Sequence, residues 1–428
     1  MCIRDRTNSA TDPDSTLVES HAITAPVEFV DRWQGNYHLQ LASAARDAGD
    51  PAGVPPAPAV DMDGTPRPFG LRVDIGAYEW HGYQLYLPLA MKGWQASVGW
   101  VVGIESGTNQ GILLHTVNSG AAWVTQGTAA DRQHALNGVS AIDANNAWVT
   151  GDNGTILRTR DGGLTWQRQN LPPELPSDAS VYFIAAASDQ IAWALAGCVD
   201  GPTYILYTSD GGDTWAVQYE ADVAPGHLNW IEAASTQVAY AVGGASASLA
   251  GESTNQDVGR IYRTADGGLH WEPAPNPAAT VISVHAVDET QAWAVGKEGS
   301  ILRTYDAGAT WEALPSGGGV DYNAVFTLDG REVWVVGDVE LIMYTSNGQD
   351  AVDEIRWETQ EPPDDIEQTQ WFMDVRFVTN KEGWVAGIPV QGAQNGCILH
   401  TTDGGKTWKT QSHPVQGEIW HLSVVCGE

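Results

Sequence analysis

Five aspartates stand in near-identical settings. Asp161, Asp210, Asp266, Asp306 and Asp403 each follow a Thr-x pair and open a glycine-containing turn that closes on Trp166, Trp215, Trp271, Trp311 or Trp408. Asn118 and Asn347 hold the same place in two degenerate copies, the first closing on Trp123 and the second reaching Trp357 only after an insertion. A positioned carboxylate can act as a general acid or base, and two of them can hydrolyse a glycoside. Repetition argues against that use here, because seven equivalent hairpins cannot all be one active site. An Asp side chain also accepts hydrogen bonds from nearby backbone N–H groups and pins a tight turn. Glycine supplies positive φ at no steric cost, and Trp covers the hairpin end. The seven positions therefore read as structural.

Arginine offers a second chemistry. Arg158, Arg263 and Arg303 occupy one repeat position, immediately before the turn threonine, and the other copies carry His115, Tyr207, Tyr344 and His400 there. A sialidase-like glycoside hydrolase would need an arginine cluster to clamp a substrate carboxylate and a Tyr–Glu nucleophile pair with an acid. The arginines from 95 onward include Arg132, Arg160, Arg168, Arg260, Arg331, Arg356 and Arg376 besides those three. A repeat template explains the three better than a substrate clamp does. The eleven histidines are scattered singly, and no Ser-His-Asp order, zinc spacing or phosphate loop emerges. No catalytic residue, cofactor or metal is expected.

These side chains are positioned by a repeating unit. The anchoring threonines, Thr116, Thr159, Thr208, Thr264, Thr304, Thr345 and Thr401, recur every 40 to 56 residues. Upstream of each lies a Trp-x-x-Gly-like segment at 100–103, 148–151, 193–197, 240–243, 293–296, 334–337 and 384–387. A third apolar segment precedes it at 139–142, 181–185, 230–233, 281–287, 324–327 and 372–378. Four short strands joined by tight turns describe one blade of a β-propeller, and helical periodicity is absent. The expected fold is all-β, a seven-bladed β-propeller. The first repeat enters at its Trp strand, so 419–425 is expected to supply the missing inner strand and close the ring; 86–90 is the rival. A propeller sets equivalent positions on a circle. Arg158, Arg263, Arg303, His115, Tyr207, Tyr344 and His400 are thus expected to form a ring suited to protein or glycan recognition. The alternative is that each packs between blades. Inserts at 244–257, 349–357 and 361–370 break the rhythm, and long loops on a rigid scaffold are places for binding.

Composition narrows the partners. The 428 residues carry a formal net charge of −32, which opposes nucleic acid and anionic membrane surfaces. No segment is long and apolar enough for a transmembrane helix. Cys2, Cys198, Cys397 and Cys426 are too few for a disulfide scaffold; Cys397 and Cys426 either pair or stay separate. Residues 1–6 are unlike the rest and are read as a sequencing or assembly scar, with the true amino terminus and its signal peptide upstream. Residues 7–92 lack the Asp turn and form a separate region before a propeller at 93–428.

Within that region, Asn36-Tyr-His-Leu39, Ala48-Gly-Asp50, Asp61-Met-Asp-Gly64, Pro66-Arg-Pro68 and Asp74-Ile-Gly-Ala-Tyr-Glu79 resemble the carboxy-terminal cap of secreted parallel β-helix proteins. The resemblance covers 36–79 and implies a partial cap whose rungs preceded it. The segment at 86–92 is similar to one that follows such caps in extracellular proteins of filamentous green bacteria. An extracellular or cell-envelope location follows from these resemblances. Asp61-x-Asp63-Gly64 could open a calcium loop, but lacks later ligands in register and reads as a plain turn.

Residues 95–428 resemble bacterial-neuraminidase-repeat (Asp-box) propellers. The pattern Trp-x-x-Gly then Gly-x-Ile-Leu-Arg-Thr-x-Asp-Gly-Gly-x-Thr-Trp, seen best at Asn153-Gly-Thr-Ile-Leu-Arg-Thr159 and Glu298-Gly-Ser-Ile-Leu-Arg-Thr304, is most similar to the photosystem II stability and assembly factor family. That resemblance implies a non-enzymatic propeller that binds a protein partner during assembly of a membrane complex; a monomer is expected. An extracellular glycan-binding module is the alternative.

Overall fold

The computed structural model describes residues 29–31, 36–39, 96–198, 201–221, 227–244, 259–275, 280–366, 370–390 and 395–427. Residues 1–6, most of the cap-like segment including 61–64, the rival strand at 86–90, Cys2, insert residues 245–257 and insert residues 367–369 lie outside these. The chain divides into two compact units, Met1–Gln95 and Ala96–Glu428. In the first, Phe29–Asp31 pairs antiparallel with Asn36–Leu39.

The second unit holds seven four-stranded antiparallel sheets, and six of them use strands in chain order. Blade 2 is typical: inner strand Leu136–Ala141, second strand Ala147–Gly151, third strand Thr155–Thr159 and outer strand Gln167–Arg168. The exception closes the ring. Gly417–Val425 is the inner strand of blade 1 and pairs with Val98–Glu105 from the start of the unit, with Val98 opposite Val425 and Glu105 opposite Gly417. The slot therefore belongs to the carboxy-terminal strand.

Each second strand is apolar on both faces because it is covered by a neighbouring blade on either side. Trp100, Trp148, Trp193, Tyr240, Trp293, Trp334 and Trp384 sit at its centre with no exposed surface. The glycine that follows each aromatic has its own cause. Every inner strand carries a register shift at the same level, after Leu136, Val181, Leu228, Val281, Tyr322 and Phe372 and, in blade 1, between His421 and Ile419. Such a bulge bends the strand and drives its backbone against the second strand. A Cβ on Gly103 would lie 1.9 Å from the carbonyl oxygen of Glu418, and one on Gly296 2.0 Å from that of Thr280. Among the described residues the one helical segment is a 3-10 turn, Lys297–Gly299.

Candidate functional site

The turn carboxylates are locked from three sides. In blade 3, Thr208 Oγ1 donates to Asp210 Oδ1 at 2.9 Å and accepts the Gly212 N–H at 2.8 Å. Asp210 also accepts the Thr214 N–H on Oδ1 at 2.9 Å and the Thr214 hydroxyl on Oδ2 at 2.6 Å. Blades 2, 5 and 7 repeat this set, and in blade 4 His270 replaces the threonine, with Nδ1 2.7 Å from Asp266 Oδ2. Hydrogen bonds from Thr214 hold Asp210 down at about 2, and the backbone and side chain of His270 hold Asp266 at about 2. A carboxylate so stabilised gives up its hydrogen-bonding capacity to the turn and is a poor proton shuttle at neutral pH. Asn118 and Asn347 keep the Oδ1 bonds, to Ala122 N–H and Arg356 N–H. In blade 6 the insert at 349–357 is absorbed into the turn: Asn347 Nδ2 donates to the Glu354 carbonyl, and Ile355 is buried.

The seven side chains before the turn threonines lie at equivalent points, each opposite its own blade's central aromatic. The Arg158 guanidinium is 4.3 Å above the Trp148 ring. His115, Tyr207, Tyr344 and His400 lie 4.7, 5.4, 5.2 and 4.6 Å from Trp100, Trp193, Trp334 and Trp384. Several reach the next blade. Arg158, 2% exposed, donates to the carbonyls of Gly211 and Asp189 in blade 3. Arg303, 4% exposed, donates to the Gly348 carbonyl in blade 6 at 2.5 Å and to Glu312 Oε2 at 3.0 Å. The Arg263 side chain lies beside Gly308 of blade 5. His400 Nε2 is 3.4 Å from Glu382 Oε1, whose partner oxygen accepts the Ser97 hydroxyl at 3.3 Å. Burial pushes His115 down to about 4, so it is neutral at physiological pH. The Tyr344 hydroxyl donates to Glu332 Oε1 at 2.8 Å. The structure thus turns Arg158 and Arg303 inward as clamps between blades. Tyr207, Arg263, Tyr344 and His400 remain half-buried.

A second set of clamps has no counterpart among the residues expected from sequence. Side-chain amides of glutamines in or just past the outer strands donate to the next blade's turn: Gln126 to the Gly162 carbonyl, Gln218 to Gly267, Gln360 to Gly404 and, across the ring closure, Gln411 to Ser119, at 2.9 to 3.0 Å. Their oxygens accept indole N–H groups in turn, Trp100 on Gln126 and Trp123 on Gln411 among them. The signal was present as a glutamine three residues beyond the turn tryptophan.

The axis carries a cluster that sequence reasoning also missed. Asp374, fully buried, accepts the Val375 N–H on Oδ1 at 2.9 Å and the Leu422 N–H on Oδ2 at 3.2 Å. Arg376 Nη1 lies 3.7 Å and His421 Nδ1 3.5 Å from its oxygens. His421 of blade 1 meets Phe183 of blade 3 and Trp230 of blade 4 edge-on, at 4.9 and 5.2 Å. Arg376 of blade 7 sits over Trp230 and Phe326. His285 Nδ1 is 3.1 Å from Glu232 Oε1. Side chains from opposite blades meet here, so the cluster packs the axis. Cys397 and Cys426 are both thiols, and burial pushes Cys397 up to about 12. Among the described residues no group of three or more His, Cys, Asp or Glu side chains is placed to hold a metal ion.

A family model described as photosynthesis system II assembly factor YCF48 matches residues 128–283 and 275–368. The chain is 26% identical over 285 residues to the photosystem II assembly lipoprotein Ycf48 of Synechococcus sp. (strain CC9902), covering 64% of this chain and 74% of that protein. It is 31% identical over 280 residues to the photosystem II assembly protein Ycf48 of Thermosynechococcus vestitus, covering 63% of this chain and 70% of that protein. A solved structure described as YCF48 bound to D1 peptide aligns with 76% of this chain and 94% of its own, at 22% identity and a TM-score of 0.49. The two matched spans together run from the end of blade 1 to the connection leading into blade 7, taking in the Trp-x-x-Gly strands and turn motifs of blades 2 to 6. By that match the chain belongs to the photosystem II assembly factor Ycf48 family.

Proposed function

We propose that this protein is a non-catalytic assembly factor whose propeller binds an extramembrane segment of a membrane-complex protein at the cell envelope. The observation that carries the reading is membership of the Ycf48 family across residues 128–368, whose relatives are named for photosystem II assembly. The site geometry agrees with it. The repeated carboxylates are committed to turns, the buried arginines to blade junctions, and Asp374 to the axis, which leaves exposed surface as the working part of the molecule. Residues 7–92 are a separate module in this proposal, and the propeller acts as a monomer.

The test is chemical cross-linking of the full chain to detergent-solubilised envelope membranes of a source cell, with mass-spectrometric identification of the linked residues. Reproducible links from propeller residues to one membrane protein are expected. A parallel assay on fluorogenic glycosides, including a sialoside, should show no turnover. Turnover, or binding to immobilised glycans with no protein link, would overturn the reading.

A further inference from the structure

The face opposite the Asp turns has one place where local backbone chemistry is set aside. In blades 2, 5 and 6 the turn between second and third strands places two successive residues at positive φ, a conformation suited to Asn-Gly. Blade 2 meets it with Asn153 at 54° and Gly154 at 63°, and blade 5 with Glu298 at 55° and Gly299 at 74°. Blade 6 instead places Val339 at 58° and Glu340 at 60°. A β-branched residue in the left-handed region is a genuine outlier, and such strain persists where the surrounding structure enforces it and points to function. Val339 is also 62% exposed, so burial does not explain it.

Its surroundings make a surface. The Glu340 N–H donates to the Gln370 carbonyl of blade 7 at 3.0 Å, and the next residue, Trp371, is 41% exposed. Trp371 pairs with half-buried Ile388 just before the bulge of its strand. Acidic groups line one side. The Glu298 N–H donates to Asp321 Oδ1 at 3.0 Å, Asn323 Nδ2 to Asp338 Oδ1 at 2.9 Å and the Gln370 N–H to Glu340 Oε1 at 3.2 Å, so the three carboxylates keep their charge while bonded to neutral donors at this turn. An apolar pair edged by carboxylates fits a protein segment that carries an aliphatic or aromatic residue beside lysine or arginine, and it repels phosphate-rich and carboxylate-rich ligands.

We propose that Val339 and Trp371, edged by Asp338, Glu340 and Asp321, form the docking site for such a basic-apolar segment of a protein partner. This rests on the protein-binding reading given above and names the surface that serves it. The strain gives the test its discrimination. Replacing Val339→Asn alone suits the left-handed turn better and keeps the bond from the Gln370 N–H to Glu340 Oε1, so a merely structural site should gain stability and lose nothing else.

The probe is a phage library of random peptides selected on the full chain, with enriched peptides resynthesised and titrated against the full chain and its variants. Enrichment of basic peptides bearing an aliphatic or aromatic residue is expected, with affinity falling at higher salt. Trp371→Ala and Val339→Asn should each weaken binding at least about tenfold, the latter with a raised Tm. Enriched peptides that bind both variants as tightly as the parent would overturn this surface while leaving the protein-binding reading standing. Failure of any peptide to enrich would overturn both.

Discussion

The turn carboxylates show how one side chain does the work of several. Asp210 ties Thr208 and Thr214 together through three hydrogen bonds, so its removal loses a local lock and leaves the strand pattern untouched. Asp210→Ala should lower propeller stability by about 1–2 kcal/mol, measured by chemical denaturation. Asp210→Asn should cost less, because Asn118 and Asn347 hold the same turn through Oδ1. The pH dependence follows from the same bonds. The folded-state values of Asp210 and Asp266, about 2, lie below the ordinary 3.8, so their stabilisation is present above about pH 4 and is lost as pH falls through 2. His115 acts one window higher. Its folded value of about 4 lies below the ordinary 6.5, so the unfolded chain binds the proton first and stability falls as pH drops from about 6.5 towards 4. Thermal melts between pH 7 and pH 4 should show that slope, and His115→Phe should flatten it.

Strand hairpins were readable as elements, and the joints between them were not. The two turn glycines illustrate the difference. Gly162 and Gly163 both have positive φ, at 69° and 81°. A Cβ on Gly162 meets its nearest atom at 3.4 Å, whereas one on Gly163 would sit 1.8 Å from the Gln126 side chain of blade 1. Ala307 already occupies the first position in blade 5, at 59°. Gly162→Ala is therefore expected to cost about 1 kcal/mol, and Gly163→Ala about 2 kcal/mol more by crowding the glutamine clamp; urea midpoints of the two variants would check the order. The motif Asp-Gly-Gly was visible in sequence as one unit. Only the neighbouring blade distinguishes its glycines.

For the whole molecule, ring closure is the decisive event. Blade 1 takes its inner strand from Gly417–Val425 and its other three from the start of the unit, and Gln411 bridges blades 7 and 1 through Ser119 and Trp123. Deleting residues 417–428 should expose the edge of Val98–Glu105, a ready template for strand pairing. Size-exclusion chromatography should then show self-association, and the cooperative melt should broaden or vanish. Gln411→Ala is the milder break, expected to cost about 1–3 kcal/mol by leaving the Trp123 indole and Ser119 carbonyl without their clamp.

What the chain determined by itself was everything encoded within a few residues of itself or repeated. Asp turns, Trp-x-x-Gly strands, blade number and closure by the last strand are carried by short-range turn chemistry and by copies that reinforce one another. Tertiary structure alone decided where the odd residues go. Asp374 bonds the Leu422 backbone and sits beside His421, Arg158 spends its guanidinium on the next blade, and Val339 stands out on a surface with Trp371. Those partners lie tens of residues away in sequence and meet because blades stack face to face around an axis. A repeat pattern shows that the blades stack, but the stacking itself decides which side chains it presses together.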